Sequence, residues 1–150
     1  MKARVLVVDD EPDFLQLLEF NLTNQGFEVV TAITGLEALQ RARCDGPQVM
    51  VLDLMLPDLD GFSVCEILRA QPSTRELPII ILSALDRPRN GSRGAKLNVS
   101  DWLKKGVDVA VVGECVSRAL AEQQERLKND LRPSPAMPKG SGRTAFETKR

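Results

Sequence analysis

The sequence predicts an α/β fold, a doubly wound parallel sheet of five strands with helices on both faces. Three observations carry this expectation. The runs Val5 to Val8, Val49 to Leu52 and Ile79 to Leu82 are continuously apolar rather than alternating, as in strands covered on both sides. Segments with apolar residues at helical spacing separate them, which is the alternation of a parallel sheet. Asp9, Asp10, Asp53 and Ser83 follow the last residues of these runs, and ligands of such sheets bind beyond the carboxyl ends of strands.

Taken in order, Val5 to Val8 is the first strand. Pro12 then suits the first turn of a helix, with Phe14, Leu15, Leu17, Leu18 and Leu22 recurring until Gly26 stops it. Phe27 to Ala32 is the second strand, and Thr34 with Glu37 forms a capping box for a helix through Leu36, Leu39 and Ala42. Gly46-Pro47 breaks that helix. Val49 to Asp53 is the third strand, a loop runs from Pro57 to Gly61, and Phe62, Val64, Cys65, Ile67 and Leu68 mark a third helix. Pro78 introduces the fourth strand, Ile79 to Leu82. From Leu85 to Leu97 the pattern weakens: Gly91 and Gly94 cost a helix roughly 2 kcal/mol relative to alanine, and Pro88 adds ~3 unless it sits in the first turn. A fourth helix here is expected to be short, frayed or absent. Val99 to Lys104 is the fifth strand, and Asp108 caps a last helix with Val109, Val112, Val116, Ala119 and Leu120 on one face. That helix runs on toward Leu131, and residues 132–150, rich in Pro, Gly and Ser, read as a disordered tail or linker.

A chain of 150 residues with 43% hydrophobic content fits one domain with a core of its own. A net charge of -1 gives no global attraction to nucleic acid or an anionic membrane, so partners are expected to be proteins. No apolar run approaches the ~18 residues of a membrane span, and the N-terminus lacks an export-type apolar core, so the chain reads as cytoplasmic. Cys44, Cys65 and Cys115 form no C-x-x-C pair and are read as small buried or half-buried apolar residues. The chain has no histidine, which excludes Ser-His or Cys-His catalysis and His-based metal sites. Any phosphohistidine belongs to a partner.

Two parallel strands ending in Asp9-Asp10 and Asp53 would bring three carboxylates together, an arrangement that calls for a divalent cation. Each residue also has a plainer reading. Asp9-Asp10 alone could cap the Pro12 helix, Lys104 and Lys105 could be solvated strand-end charges, Ser83 a turn serine, and Trp102, the only tryptophan, an aromatic packed at the sheet edge.

Four fragments in order, V-L-V-V-D-D-E-P from Val5, V-L-D-L-M-L-P-D-L-D-G from Val51, I-I-I-L-S-A from Ile79 and D-W-L-K-K from Asp101, resemble the receiver domain of bacterial response regulators in two-component systems. The resemblance covers residues 3 to about 125 and implies a receiver domain over 1–127, with the helix end and tail in 128–150. It implies the flavodoxin-like strand order 2-1-3-4-5, which sets the first and third strands side by side. It also implies a phosphorelay function: Asp53 accepts a phosphoryl group from the phosphohistidine of a histidine kinase or histidine phosphotransfer protein. Mg²⁺ would be held by Asp10, Asp53 and the Met55 backbone carbonyl, with Asp9 acting partly through water. Lys105 would pair with a phosphoryl oxygen, the Ser83 hydroxyl would report phosphorylation, and Trp102 would rotate inward behind it to reshape a protein-binding face. Met55 and Ala84 would flank the entrance. The resemblance further implies a protein that is not an enzyme in its own right, with self-catalysed phosphotransfer and autodephosphorylation only, acting on a downstream protein or a fused output domain.

Two departures stand out. The family has proline after its conserved lysine, in a cis peptide, whereas Gly106 follows Lys105; a cis bond there would cost ~2.5–4 kcal/mol, so a trans bond is expected. The irregular segment after Leu85 replaces a helix that in relatives contributes to the signalling surface, and Arg87, Arg89, Arg93 and Lys96 make it locally basic. These departures motivate an alternative, a degenerate receiver acting as a constitutive protein-binding module. A haloacid-dehalogenase-like phosphatase is set aside, because it needs a second acid two residues after the nucleophile and Met55 stands there.

Overall fold

The computed structural model describes residues 2–88 and 97–131. Its elements run β1 (Arg4–Val8), α1 (Pro12–Asn24), β2 (Glu28–Ala32), α2 (Gly35–Cys44), β3 (Val49–Leu52), α3 (Gly61–Ala70), β4 (Ile79–Ser83), β5 (Asp101–Lys104) and α4 (Val109–Leu131). All strands are parallel, in the order β2-β1-β3-β4-β5. The chain divides into two compact units after Leu120. Met1–Leu120 holds the sheet, and Ala121–Arg150 is described as far as Leu131, as helix exposed on all sides except at half-buried Gln123.

Continuous apolar strands make two cores. Leu6, Val8, Met50, Leu52, Ile79 and Ile81 face α2 and α3, while Val5, Val7, Val49, Val51, Ile80 and Leu82 face α1 and α4. Each fully buried side chain of this size contributes roughly 1.5–3 kcal/mol, so the central strands are the most strongly fixed part of the molecule.

Element ends follow from local hydrogen bonding. Gly26, at φ 100°, closes α1: its N–H donates to Thr23 O and that of Phe27 to Leu22 O, the two bonds of a Schellman turn. Phe27 is thereby spent on the turn, and β2 begins one residue later than expected. Thr34 caps α2 by accepting from Glu37 N at 3.0 Å, and Glu37 accepts from Ile33 N at 2.9 Å. Asp108 accepts from Ala110 N at 3.1 Å at the start of α4. β5 starts at Asp101 rather than Val99, because Val99 N turns back to Leu97 O and the ladder is first met by Ser100 N on Ile79 O.

Residues 84–88 and 97–100 contain no helix, and the rest of the expected irregular helix, with Arg89, Arg93 and Lys96, lies outside the described residues, as does the expected tail at 132–150. Cys65 and Cys115 are buried as expected, but Cys44 is exposed. It ends α2 off the face formed by Ala38, Leu39 and Ala42. Among the described residues no peptide is cis, and Gly106 takes φ 113°. No helix among them is long and apolar enough to cross a membrane.

Candidate functional site

Register builds the site. Val8 lies between Ala32 and Leu52, so β1 and β3 end level, and Asp53 N donates to Val8 O at 3.0 Å while Asp9 N donates to Ala32 O at 3.1 Å. Asp9, Asp10 and Asp53 thus converge, each offering a carboxylate oxygen within 4.8 Å of the others. Asp9 and Asp53 are buried and Asp10 is exposed at the mouth. β4 and β5 complete the edge: Ser83 pairs with Lys104, and Lys105 N donates to Ser83 O at 2.8 Å.

Lys105 Nζ reaches Asp53 Oδ2 at 3.0 Å, Asp9 Oδ2 at 2.9 Å and Glu11 Oε1 at 2.5 Å. It also stands 4.9 Å from the centroid of the Phe14 ring, within cation–π range. Burial alone would depress the ammonium, but its hydrogen bonds to Glu11, Asp9 and Asp53 outweigh it and hold Lys105 above the ordinary lysine range. Burial pushes the Asp9 carboxyl up, against the pull of the Glu11 N–H and Lys105. Asp53 Oδ1 accepts from Met55 N at 3.1 Å, which fixes the carboxylate's plane; the Met55 side chain is exposed, as is Ala84. Asp9 Oδ1 accepts from Glu11 N at 2.9 Å in a turn that leads into α1, so it serves the helix start and the cluster at once.

Ser83 is buried, and its Oγ accepts from Leu85 N at 3.3 Å. Trp102 is half-buried against the α2–α3 side of the sheet, and its Nε1–H donates to Leu85 O at 3.0 Å. Lys104 points away, pairing with exposed Asp86 at 2.9 Å. Sequence reading left Glu11 without a role and took Phe14 only as a core residue; both touch the Lys105 ammonium. Asp58 was taken as a loop residue, yet it accepts from Gly35 N at 2.8 Å and Leu36 N at 3.0 Å, tying the β3–α3 loop to the start of α2. Only the sequence motif D-D-E-P hinted at Glu11.

A model of the response regulator receiver domain matches residues 5–116, well over half of the chain. The chain belongs to the response regulator receiver domain family. This receiver is 43% identical over 108 residues to the response regulator PleD of Caulobacter vibrioides, covering 72% of this chain and 24% of that protein. It is 38% identical over 135 residues to the alkaline phosphatase synthesis transcriptional regulatory protein PhoP of Bacillus subtilis, covering 87% of this chain and 55% of the other. The receiver therefore spans between about a quarter and just over half the length of these relatives. Among solved structures it resembles the receiver domain of a Francisella response regulator, with a TM-score of 0.74, 33% identity and coverage of 81% of this chain and 99% of that one. A chemotaxis response regulator of Vibrio cholerae gives a TM-score of 0.73 at 29% identity, with 80% of this chain and all of the other covered.

Proposed function

We propose that this receiver is a phosphoacceptor, taking a phosphoryl group from a partner's phosphohistidine onto Asp53. The observation that carries the reading is the convergence of Asp9, Asp10 and Asp53 within 4.8 Å, with the Lys105 ammonium 3.0 Å from Asp53. In the transfer an Asp53 carboxylate oxygen bonds to phosphorus while the N–P bond breaks. The imidazole nitrogen keeps that electron pair and is reprotonated.

The carboxylate cluster is an all-oxygen donor set, which fits Mg²⁺. Asp10, Asp53 and the Met55 backbone carbonyl would hold the ion, with Asp9 acting partly through water. When bound it would neutralise charge on the carboxylate and phosphoryl oxygens. Lys105 orients Asp53 before transfer and offers an N–H to a phosphoryl oxygen afterwards. The Ser83 hydroxyl exchanges Leu85 N for the phosphoryl group, and Trp102 follows Leu85, shifting the population toward the signalling state. The donor is a histidine kinase or histidine phosphotransfer protein in the cytoplasm, and the recipient of the signal a protein partner or a fused output domain. The chain supplies phosphotransfer and autodephosphorylation to itself and does not turn over a separate substrate.

The degenerate-receiver alternative was motivated by Gly106 and by the 85–97 segment; Lys105 still reaches Asp53 with glycine after it, residues 89–96 lie outside the described residues, and no observation favours it. Incubation with a small-molecule phosphodonor and Mg²⁺ should add one phosphoryl mass to the chain. Asp53→Asn should abolish the addition, and a wild-type chain that gains no mass sinks the acceptor reading.

A further inference from the structure

We infer that Asp58 is a positioning residue for the Mg²⁺ site: by bonding to the first two N–H groups of α2 it fixes the β3–α3 loop that carries the Met55 carbonyl. The loop is anchored at both ends. Asp53 Oδ1 accepts from Met55 N at 3.1 Å, Leu54 O accepts from Gly61 N at 2.9 Å, and Asp60 Oδ1 accepts from Ser63 N at 2.9 Å where α3 begins. None of these bonds holds the Met55 carbonyl itself, which belongs to the peptide between Met55 and Leu56. A peptide turns as one plane, so the aim of that oxygen depends on what holds the residues after it. Asp58 supplies the hold with both of its oxygens, Oδ1 accepting from Gly35 N at 2.8 Å and Oδ2 from Leu36 N at 3.0 Å.

Helix α2 has a start of its own. Thr34 and Glu37 form its capping box, with Thr34 Oγ1 accepting from Glu37 N at 3.0 Å and Glu37 Oε1 from Ile33 N at 2.9 Å. The N–H groups of Gly35 and Leu36 still lack partners within the helix, and a carboxylate there also meets the favourable end of the helix dipole. Asp58 therefore joins two loops rather than merely beginning a helix. The contact between them is close: a Cβ on Gly35 would lie 2.5 Å from Leu59 O and 2.8 Å from Leu59 Cβ, so only glycine lets the loop rest on α2 in this way. A residue that orients a metal ligand from outside the coordination sphere strengthens binding without touching the ion.

The inference rests on the Mg²⁺ site of the acceptor reading, and the test separates the two. Mg²⁺ is titrated calorimetrically into the wild-type chain, Asp58→Ala, Asp58→Asn and Thr34→Ala, with melting temperatures recorded in the absence of Mg²⁺. Asp58→Ala should weaken Mg²⁺ binding about tenfold, the low end for a residue that supports a metal ligand. Asp58→Asn loses the same charge but keeps an oxygen for the α2 N–H groups, and should retain most of the wild-type affinity. Thr34→Ala removes the helix's own cap, so it should melt lower and bind Mg²⁺ as wild type does. Wild-type affinity in Asp58→Ala overturns the inference. Equal weakening by Ala and Asn at position 58 overturns it too, since lost charge would then explain the effect, and equal weakening by Thr34→Ala does so by assigning it to general loss of stability. A wild-type chain that binds no Mg²⁺ overturns it together with the ion site. The expected Mg²⁺ pattern in a chain that gains no phosphoryl mass leaves the inference standing and removes the acceptor reading alone.

Discussion

Removing the Lys105 ammonium leaves Asp9 and Asp53 buried side by side with no cation between them. Breaking a buried pair from one side is costly, and Lys105→Met should lower folding stability at pH 7 by about 3 kcal/mol, read as a shift in the denaturant midpoint. The sign of the pH dependence follows from the ammonium's partners. Hydrogen bonds raise Lys105 in the folded chain above the ordinary value of 10.5, so the folded state holds this proton more tightly than the unfolded one. Its contribution is complete below pH 10.5 and is lost as pH climbs through the folded value. The gap between wild type and Lys105→Met should accordingly narrow in strong alkali; a gap that stays constant to pH 12 refutes the assignment. Asp9 works in the opposite direction. Burial raises its carboxyl above 3.8, so its charge costs stability as pH rises through the window above that value.

The elements around the pocket are joined by loops that serve two masters. Asp58, in the loop after β3, caps α2 across the gap by accepting from Gly35 and Leu36. Desolvation would raise its carboxyl, but N–H groups of Gly35, Leu36 and Leu59 outweigh it and hold it below the ordinary value. A lowered carboxyl stabilises the fold above pH 3.8 and loses that effect as pH falls through the folded value. Asp58→Ala should cost about 1 kcal/mol at pH 7, the usual loss on removing a helix cap, and the cost should fade in acid. Equal chemical denaturation of variant and wild type at pH 7 would dispose of this tie. The same loop is pressed close at its far end. A Cβ on Gly61 would lie 2.6 Å from Leu54 Cα and 2.7 Å from Asp53 O, so only glycine lets α3 start directly against the end of β3.

At the scale of the whole molecule, three carboxylates among the described residues gather at one end of the sheet, and a divalent ion that binds there stabilises the folded chain alone. At a free Mg²⁺ concentration about a hundred times its dissociation constant the gain is ~2.7 kcal/mol, a rise of several degrees in melting temperature. Asp10→Asn should abolish most of that rise in a calorimetric scan, and equal Mg²⁺ shifts in both chains would count against the ion site. The central strands β1, β3 and β4 were legible because parallel, doubly covered strands are apolar throughout, and α1 and α2 because Gly26 and Thr34 mark their ends. Strand order was not in the periodicity; it came through the family motifs. Glu11 and Phe14 escaped notice because their shared partner is Lys105, far along the chain, and Asp58 because its helix lies upstream of it. Cys44 misled because composition says nothing about which side of a helix end faces water. The Leu85 peptide is held at both ends, its N–H by Ser83 Oγ and its carbonyl by the indole of Trp102. Since the chain has no other tryptophan, its near-ultraviolet emission comes from a single chromophore bonded one peptide away from the buried hydroxyl, and the molecule carries a built-in optical gauge of that loop.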